Sequence, residues 1–262
     1  MEALAKVTTA VPPSETLLPG AKQLLRDVSS PRPNCSTCNM LQWCIPANVE
    51  PENRRAIDQL VAKRLKLRKG ETLFRPGEKF STLFSIRLGS VKTVLLAEDG
   101  RDQVSGFHMA GDVIGTDGIG SEHHECQAIA LEDTEVCAIP YSRIEELEHA
   151  SPQVLRNMHR MLAEEIGRER RVMLMLGTLR ADQRLAAFLI DLARRYHARG
   201  YSSSEYVLRM TRDEIGSFLG LKLETVSRLL SRLHREGVIQ VQGRIIKILD
   251  PVALKHLIET SV

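Results

Sequence analysis

Several common signals are weak or missing in this sequence, and each absence narrows what the chain can be. Net charge is small: 36 basic against 33 acidic residues leave +3, so only the distribution of charge can mark a nucleic-acid binder. No apolar run reaches membrane-spanning length, so no membrane association is expected. The opening residues, MEALAKVTTAVPP, lack a basic stretch followed by an apolar core, which argues against a secretory signal. Nothing pairs a nucleophile with a base in a convincing context, and Gly106 and Gly111 do not build a phosphate loop. These absences predict a protein of the reducing cytoplasm that is not an enzyme. Five cysteines in that setting are expected to be free, metal-bound or redox-active rather than disulfide-bonded.

What is present starts with a long stretch free of proline, Val154–Leu179. Within it Leu162, Ile166, Glu169, Met173 and Leu176 are spaced 4, 3, 4, 3, a heptad seam that buries itself against another helix. Four of the positions are apolar and the fifth is an acid. In a two-fold coiled coil Glu169 would face its own copy, and two close carboxylates weaken the pairing. The seam therefore reads as a dimer helix held near its threshold. The alternative is an amphipathic core helix with Glu169 at its edge.

Residues 1–33 carry five prolines and no clear period, and read as a loose arm with a short helical turn near Lys22–Asp27. NCSTCNMLQWCIP follows. Its Cys35, Cys38 and Cys44 are spaced C-x2-C-x5-C, and a loop this short can aim three thiolates at one centre. Thiolates are soft ligands suited to iron–sulfur clusters or zinc; inert thiols are the plainer alternative. A fourth ligand must come from elsewhere. Cys126 and Cys137 are equal candidates on this reading, with His123 and His124 in reserve.

A short helix over Glu52–Leu65 leads into the middle of the chain. From Leu67 to Ile139 short apolar runs are broken by glycines, which predicts an antiparallel barrel or jelly roll. Such a body can bind a small ligand or simply hold a wall against the cysteine arm. In EVCAIP, alternation puts Val136 and Ala138 on one face of a strand and Cys137 and Ile139 on the other. Beyond the long helix a second one spans Arg180 to His197, with Leu185, Phe188, Leu189 and Leu192 as its apolar stripe. Thr211 and Glu214 form a capping box for a short helix. Gly220 turns the chain into another, about Leu223–Glu236, with Val226, Leu229, Leu230 and Leu233 inward. Glu224, Ser227, Arg228 and Ser231 share the opposite side. GVIQVQGRIIKILD then gives two strands around Gly243. A helix-turn-helix with a wing reads double-stranded DNA; a three-helix packing unit with a solvated face is the alternative.

Together the motifs CSTCNMLQWC, GFHMAGDVIG, GSEHH, EVCAIP, QRLAAF and MTRDEIGSFLGLKLETVSRLLSRL resemble the Crp/Fnr transcription regulators, in their oxygen-sensing fumarate-and-nitrate-reduction branch. The resemblance runs from Cys35 to about Leu257. It implies an α+β chain: an arm (1–50), a cyclic-nucleotide-binding-like β-roll (51–153), a dimerisation helix (154–179) and a winged helix-turn-helix (180–262). It also implies a [4Fe–4S] cluster on Cys35, Cys38, Cys44 and Cys137, leaving Cys126 outside the ligand set. The cyclic-nucleotide branch uses a Gly-Glu segment and an Arg-Ser pair; here Gly111-Asp112 and His124-Glu125-Cys126 stand instead, so a cyclic phosphate would lack its arginine. Trp43, Asn39 and Lys222 also depart from the usual pattern, and Lys222 caps a helix poorly.

The implied mechanism is a cluster that, without oxygen, promotes homodimerisation and binding to palindromes of TTGAT-like half-sites. Oxygen, the signal, converts the cluster through a [2Fe–2S] form toward loss and the dimer separates. Bound to DNA, the dimer would activate by touching RNA polymerase or repress by blocking it. Glu224, Ser227 and Arg228 are the expected DNA-reading residues. Two rival expectations are a regulator sensing metal or oxidants through zinc or free thiols, and one whose roll takes a small effector.

Overall fold

The computed structural model describes residues 26–27, 35, 37–45, 47, 54–97, 100–150 and 152–259. Most of the expected loose arm lies outside these residues. Arg26–Asp27 are described, and they form a strand, β1, not a helical turn. They pair antiparallel with a second strand in the register Arg26↔Lys66 and Asp27↔Leu65. Helix α1 covers Arg54–Leu60 only, and Lys63–Leu67 form that second strand, β2. The expected helix to Leu65 was too long because Leu65 and Leu67 are buried and Lys66 between them is exposed, a period of two.

Two antiparallel sheets make the roll. One has the order β1-β2-β9-β4-β7, with β4 at Thr82–Leu88, β7 at Val113–Ile114 and β9 at Thr134–Pro140. The other has the order β3-β8-β5-β6, with β3 at Thr72–Phe74, β5 at Ser90–Leu96, β6 at Asp102–Met109 and β8 at Gln127–Ala130. A short helix, α2 (Gly118–Ser121), precedes β8. The turn from β4 to β5 needs glycine at 89: its φ is +88°, and a Cβ there would lie 2.8 Å from the Asp133 carbonyl oxygen.

Strand β9 divides two cores. Val136 and Ala138 join Leu65, Phe84, Ile86 and Val91 between the sheets. Cys137 and Ile139 point the other way, into a layer with Cys35, Ile45, Leu60, Ile144 and Met158. That outer layer is covered by α1, by α3 (Tyr141–Ala150) and by the start of the long helix α4 (Pro152–Thr178).

Helix α5 (Ala181–Ala198) opens the C-terminal unit. The helix-turn-helix is α6 (Arg212–Leu219) and α7 (Leu223–Arg235), joined at Gly220 in the left-handed conformation. The capping box forms: Glu214 N–H donates to Thr211 Oγ1 at 3.2 Å, and Thr211 N–H donates to Glu214 Oε2 at 2.6 Å. Val226, Leu230 and Leu233 are buried and Leu229 packs beside them. The wing has three strands in the order β10-β12-β11, namely Glu205–Val207, Ile245–Ile248 and Ile239–Gln242. A last helix, α8 (Pro251–Glu259), buries Leu254.

The C-terminal unit docks on the roll. Its core continues into Val104 and Phe107 of β6, and Phe107 lies 5.2 Å from Phe218 and 5.9 Å from Phe188. Val104 N–H donates to Ser217 Oγ at 2.9 Å, and Lys92 pairs with Glu214 at 2.8 Å. Beside this seam Asp112, its side chain only 6% exposed, takes Arg195 at 2.7 Å and Arg199 at 2.6 Å.

Candidate metal centre and nucleic-acid interface

The cysteine loop is a chain of three-residue turns. Cys38 N–H donates to Cys35 O, Leu41 N–H to Cys38 O, Cys44 N–H to Leu41 O and Ala47 N–H to Cys44 O, at 3.0–3.2 Å. Residues three apart in such turns share a side, so Cys35, Cys38 and Cys44 are presented together. Cys35 is buried; Cys38 and Cys44 are half-buried.

Register places another thiol on the sheet face that the loop meets. Arg64 on β2, Cys137 on β9 and Ser85 on β4 lie abreast, so their side chains share one face. The Cys44 thiol donates to Ser85 Oγ at 3.3 Å, which brings the loop onto that face. The electrostatics follow the geometry. Burial, and then the fields of Cys44, Cys137 and Cys38, push the Cys35 thiol up to about 12. Burial also pushes Cys44 up to about 11 against the Ser85 hydrogen bond, with Cys137 and Cys38 adding to the rise. Cys137 is raised by burial, opposed by the charge and hydrogen bond of Arg64, and it too feels Cys38. Every pair among the four thiols interacts.

Cys126 belongs to a different neighbourhood. It lies in the core between the sheets, and its thiol donates to Asp117 Oδ2 at 3.3 Å. Burial first, then Asp117, raises its pKa, with Glu125 adding to the rise. His124 stacks on Phe74 at 3.8 Å and bonds Asp117 at 3.3 Å; His123 is exposed beside Ser121. Neither reserve histidine faces the cysteine loop.

Four soft, interacting donors suit a thiolate-held centre. Among the described residues no three His, Cys, Asp or Glu side chains converge tightly enough to hold one ion. A tetrahedral zinc with sulfur at about 2.3 Å needs thiolates roughly 3.8 Å apart. An iron–sulfur cluster takes one thiolate per iron and accepts a wider set. Arg64 and Ser85, absent from the sequence reading, hydrogen-bond two of the sulfurs, Arg64 as donor to Cys137 and Ser85 as acceptor from Cys44. Only strand register could have found them.

The loop is also tied to α4. Buried Asn157 donates through Nδ2 to Ile45 O at 2.8 Å and Ala47 O at 2.6 Å. Further along α4, Ile166 is 48% exposed and Met173 72% exposed. Glu169 is exposed with them, while Leu162 and Leu176 are half-buried and Leu176 packs on the C-terminal core. Val172 and Met175 turn instead toward that core.

On α7, Glu224 and Arg228 are exposed and Ser227 is partly so. Arg212 at the start of α6 reaches Ser227 Oγ at 3.4 Å, adding a cation that the sequence reading did not select. Lys222 stands at the N-cap of α7 with no side-chain cap bond, as its residue type suggested. Glu224, Ser227, Arg228 and Ser231 thus lie along one accessible side of α7, with Arg212 beside them. In the roll, a cavity of about 240 Å³ facing α4 is lined by His108, Asp117, Glu165 and Glu169 among others, and by no arginine. Among the described residues no helix is long and apolar enough to cross a membrane.

Two family models match the chain: a cyclic nucleotide-binding domain over residues 64–150 and a Crp-like helix-turn-helix domain over residues 183–257. The chain is 40% identical to the transcriptional regulatory protein btr of Bordetella pertussis, over 86% of this chain and 93% of that protein. It is 39% identical to the fumarate and nitrate reduction regulatory protein of Escherichia coli, over 86% and 90%. Among solved structures, FixK2 from Bradyrhizobium japonicum matches with a TM-score of 0.71 and 34% identity, covering 78% of this chain and 100% of that one.

Proposed function

This chain belongs to the Crp/Fnr family of transcription regulators, and from that premise we propose that it is an oxygen-responsive member switched by a [4Fe–4S] cluster on Cys35, Cys38, Cys44 and Cys137. Its relatives are transcription regulators and not enzymes, and regulators of this family bind DNA and dimerise. The name of the Escherichia coli relative supports the anaerobic reading. One observation carries it: the three loop thiols and Cys137 all feel one another, while Cys126 is turned into the other core.

When bound, the cluster supplies an oxygen-labile covalent tie between arm and roll. The chain's own residues supply the rest. Arg64 donates to the Cys137 sulfur and so favours its thiolate charge, and Ser85, which accepts from the Cys44 thiol, has a hydroxyl proton that can turn to the sulfur once that thiol is deprotonated. Ile45 and the Asn157 clamp carry the loop's position to the first turns of α4, because a loop pinned on one side holds the clamped carbonyls in register. The Leu162, Ile166, Glu169, Met173, Leu176 seam then pairs with a second copy, and two α7 helices meet a palindrome of TTGAT-like half-sites. Coupling of this kind needs only a few kcal/mol when the states are nearly balanced. Touching RNA polymerase, or blocking it, is the expected output. The arm, roll, dimer helix and DNA-binding unit divide at about residues 50, 153 and 179.

The test is anaerobic reconstitution with iron and sulfide counts. The parent and Cys126→Ala should each take up about four irons per chain, with visible charge-transfer absorption lost in air. Cys35→Ala, Cys38→Ala, Cys44→Ala and Cys137→Ala should not form a stable cluster. Loss in Cys126→Ala with retention in Cys137→Ala would overturn the assignment, and stoichiometric zinc in place of iron would overturn the oxygen reading.

A further inference from the structure

A cleft of about 570 Å³ opens where four parts of the chain meet: the turn at Gln42–Trp43, the approach to β7 at Gly111–Val113, the middle of α4 and the end of α5. Its wall carries six arginines: Arg160, Arg168 and Arg171 from α4, and Arg194, Arg195 and Arg199 from α5 and its C-cap. Three carboxylates oppose them, Asp112, Glu164 and Glu165. The lining therefore carries three more positive than negative side chains.

Internal pairing does not use up that charge. Asp112 is shared by Arg195 and Arg199, with Arg168 a further 3.9 Å neighbour. Glu165 lies 3.1 Å from Arg168, and Arg194 turns to Asp191 at 2.7 Å. Arg160 and Arg171 have no ion-pair partner among the described residues. Arg168 Nη1 and Arg195 Nε are buried and make no aligned hydrogen bond. Buried guanidinium groups that share too few carboxylates, and orphaned N–H donors, both cost free energy. A multiply charged oxyanion would relieve both, since guanidinium forks fit phosphoryl oxygens in bidentate pairs.

The cleft has the volume of a small-ligand site. Trp43, the chain's single tryptophan, lines it and offers a face on which a base can stack. At 100° per residue, Arg160 and Arg171 sit roughly 120–140° around α4 from Ile166. Pairing of the dimer seam therefore leaves the cleft open.

We propose that this cleft is an effector site, separate from the thiol centre, for a small anion bearing two or more phosphoryl groups. Bound there, the anion bridges α4 to α5 and braces the dimer helix against the first helix of the DNA-binding unit. The test titrates the full-length chain with inorganic tripolyphosphate, ATP and adenosine, by calorimetry and by Trp43 fluorescence. Tripolyphosphate and ATP should bind once per chain, ATP alone should quench Trp43 by stacking, and adenosine should give no heat. Binding of tripolyphosphate without quenching by ATP would still support the site and assign it to phosphate alone. Arg160→Gln/Arg171→Gln should weaken both anions by roughly tenfold, the loss of two charge-assisted contacts, with an unchanged melting temperature in the absence of ligand. Should the double variant melt lower, Arg171→Gln alone carries the comparison. Arg228→Ala should leave anion affinity intact. No heat from either anion up to millimolar concentration would overturn the proposal. So would a double variant that binds as tightly as the parent, or Arg228→Ala losing as much, since the anion would then sit on the DNA-facing surface.

Discussion

Glu169 is exposed on α4 one turn from exposed Ile166 and Met173, so a second copy seated there would bring two carboxylates together. Their repulsion opposes pairing whether or not the cysteine loop is pinned. Replacing Glu169 by Ala removes the charge and adds apolar seam. A gain of about 1.4 kcal/mol would tighten the dimer roughly tenfold. Glu169→Ala should therefore sediment as a dimer in air with little or no cluster, while the parent stays monomeric. Equal monomer fractions for the two would show that the acid is not the restraint. At the same scale, the two candidate fourth ligands were separated by something the sequence only half disclosed. Alternation put Cys137 opposite Val136, and the structure does the same. Which face the cysteine loop covers depends on where that loop lands, and no local signal carries that.

At the scale of elements, α7 leaves Glu224 and Arg228 exposed because Val226, Leu230 and Leu233 fix the other side in the core. Arg228 near its start suits the O6 and N7 acceptors of guanine, and losing one bidentate contact should cost about 1–3 kcal/mol per half-site. Arg228→Ala should erase the preference for the palindrome while keeping most binding to random duplex, in titrations at fixed salt. Equal losses on both duplexes would make Arg228 a phosphate contact only. The capping box, the glycine turn and the periodicity of α4, α5 and α7 were all legible, because each is decided by residues within one or two turns. β10 and α8 were not. A three-residue strand such as Glu205–Val207 has too short a pattern to register, and only its pairing with β12 makes it a strand. The boundary of α1 with β2 was missed for a related reason: the two-residue period of Lys63–Leu67 is short, and pairing with β9 decides it.

Beside the apolar contact between roll and C-terminal unit runs a buried polar seam, and acid should loosen it in two stages. His108 is pushed down to about 3 from 6.5 by burial, with Arg168 and Arg195 adding to that and Asp112 opposing. The unfolded chain therefore takes this proton first, and stability falls as pH drops through 6.5 toward 3. Asp112 is held down at about 2 from 3.8: burial opposes ionisation, and Arg195, Arg199 and Arg168 outweigh it. Its contribution is complete above 3.8 and is lost as pH falls toward 2. His108→Gln should flatten the urea midpoint between pH 6.5 and 4 and leave the later loss in place. A midpoint in His108→Gln that falls as steeply as in the parent from pH 6.5 to 4 would remove His108 from this account.

The sequence by itself determined the strand-rich middle, the long helices, the spacing of the apolar positions on α4, the helix-turn-helix and the spacing of Cys35, Cys38 and Cys44. Those features rest on periodicity, caps and spacing, which neighbouring residues enforce. Only the tertiary structure decided that Cys137 lies near the trio while Cys126 sits in the other core, that Asn157 clamps the loop, and that Asp112 holds Arg195 and Arg199 across 83 and 87 residues. Such pairings depend on which faces of β9, α4 and α5 are buried against one another. That is fixed by the packing of two sheets and three helices at once, and no short window of sequence contains it.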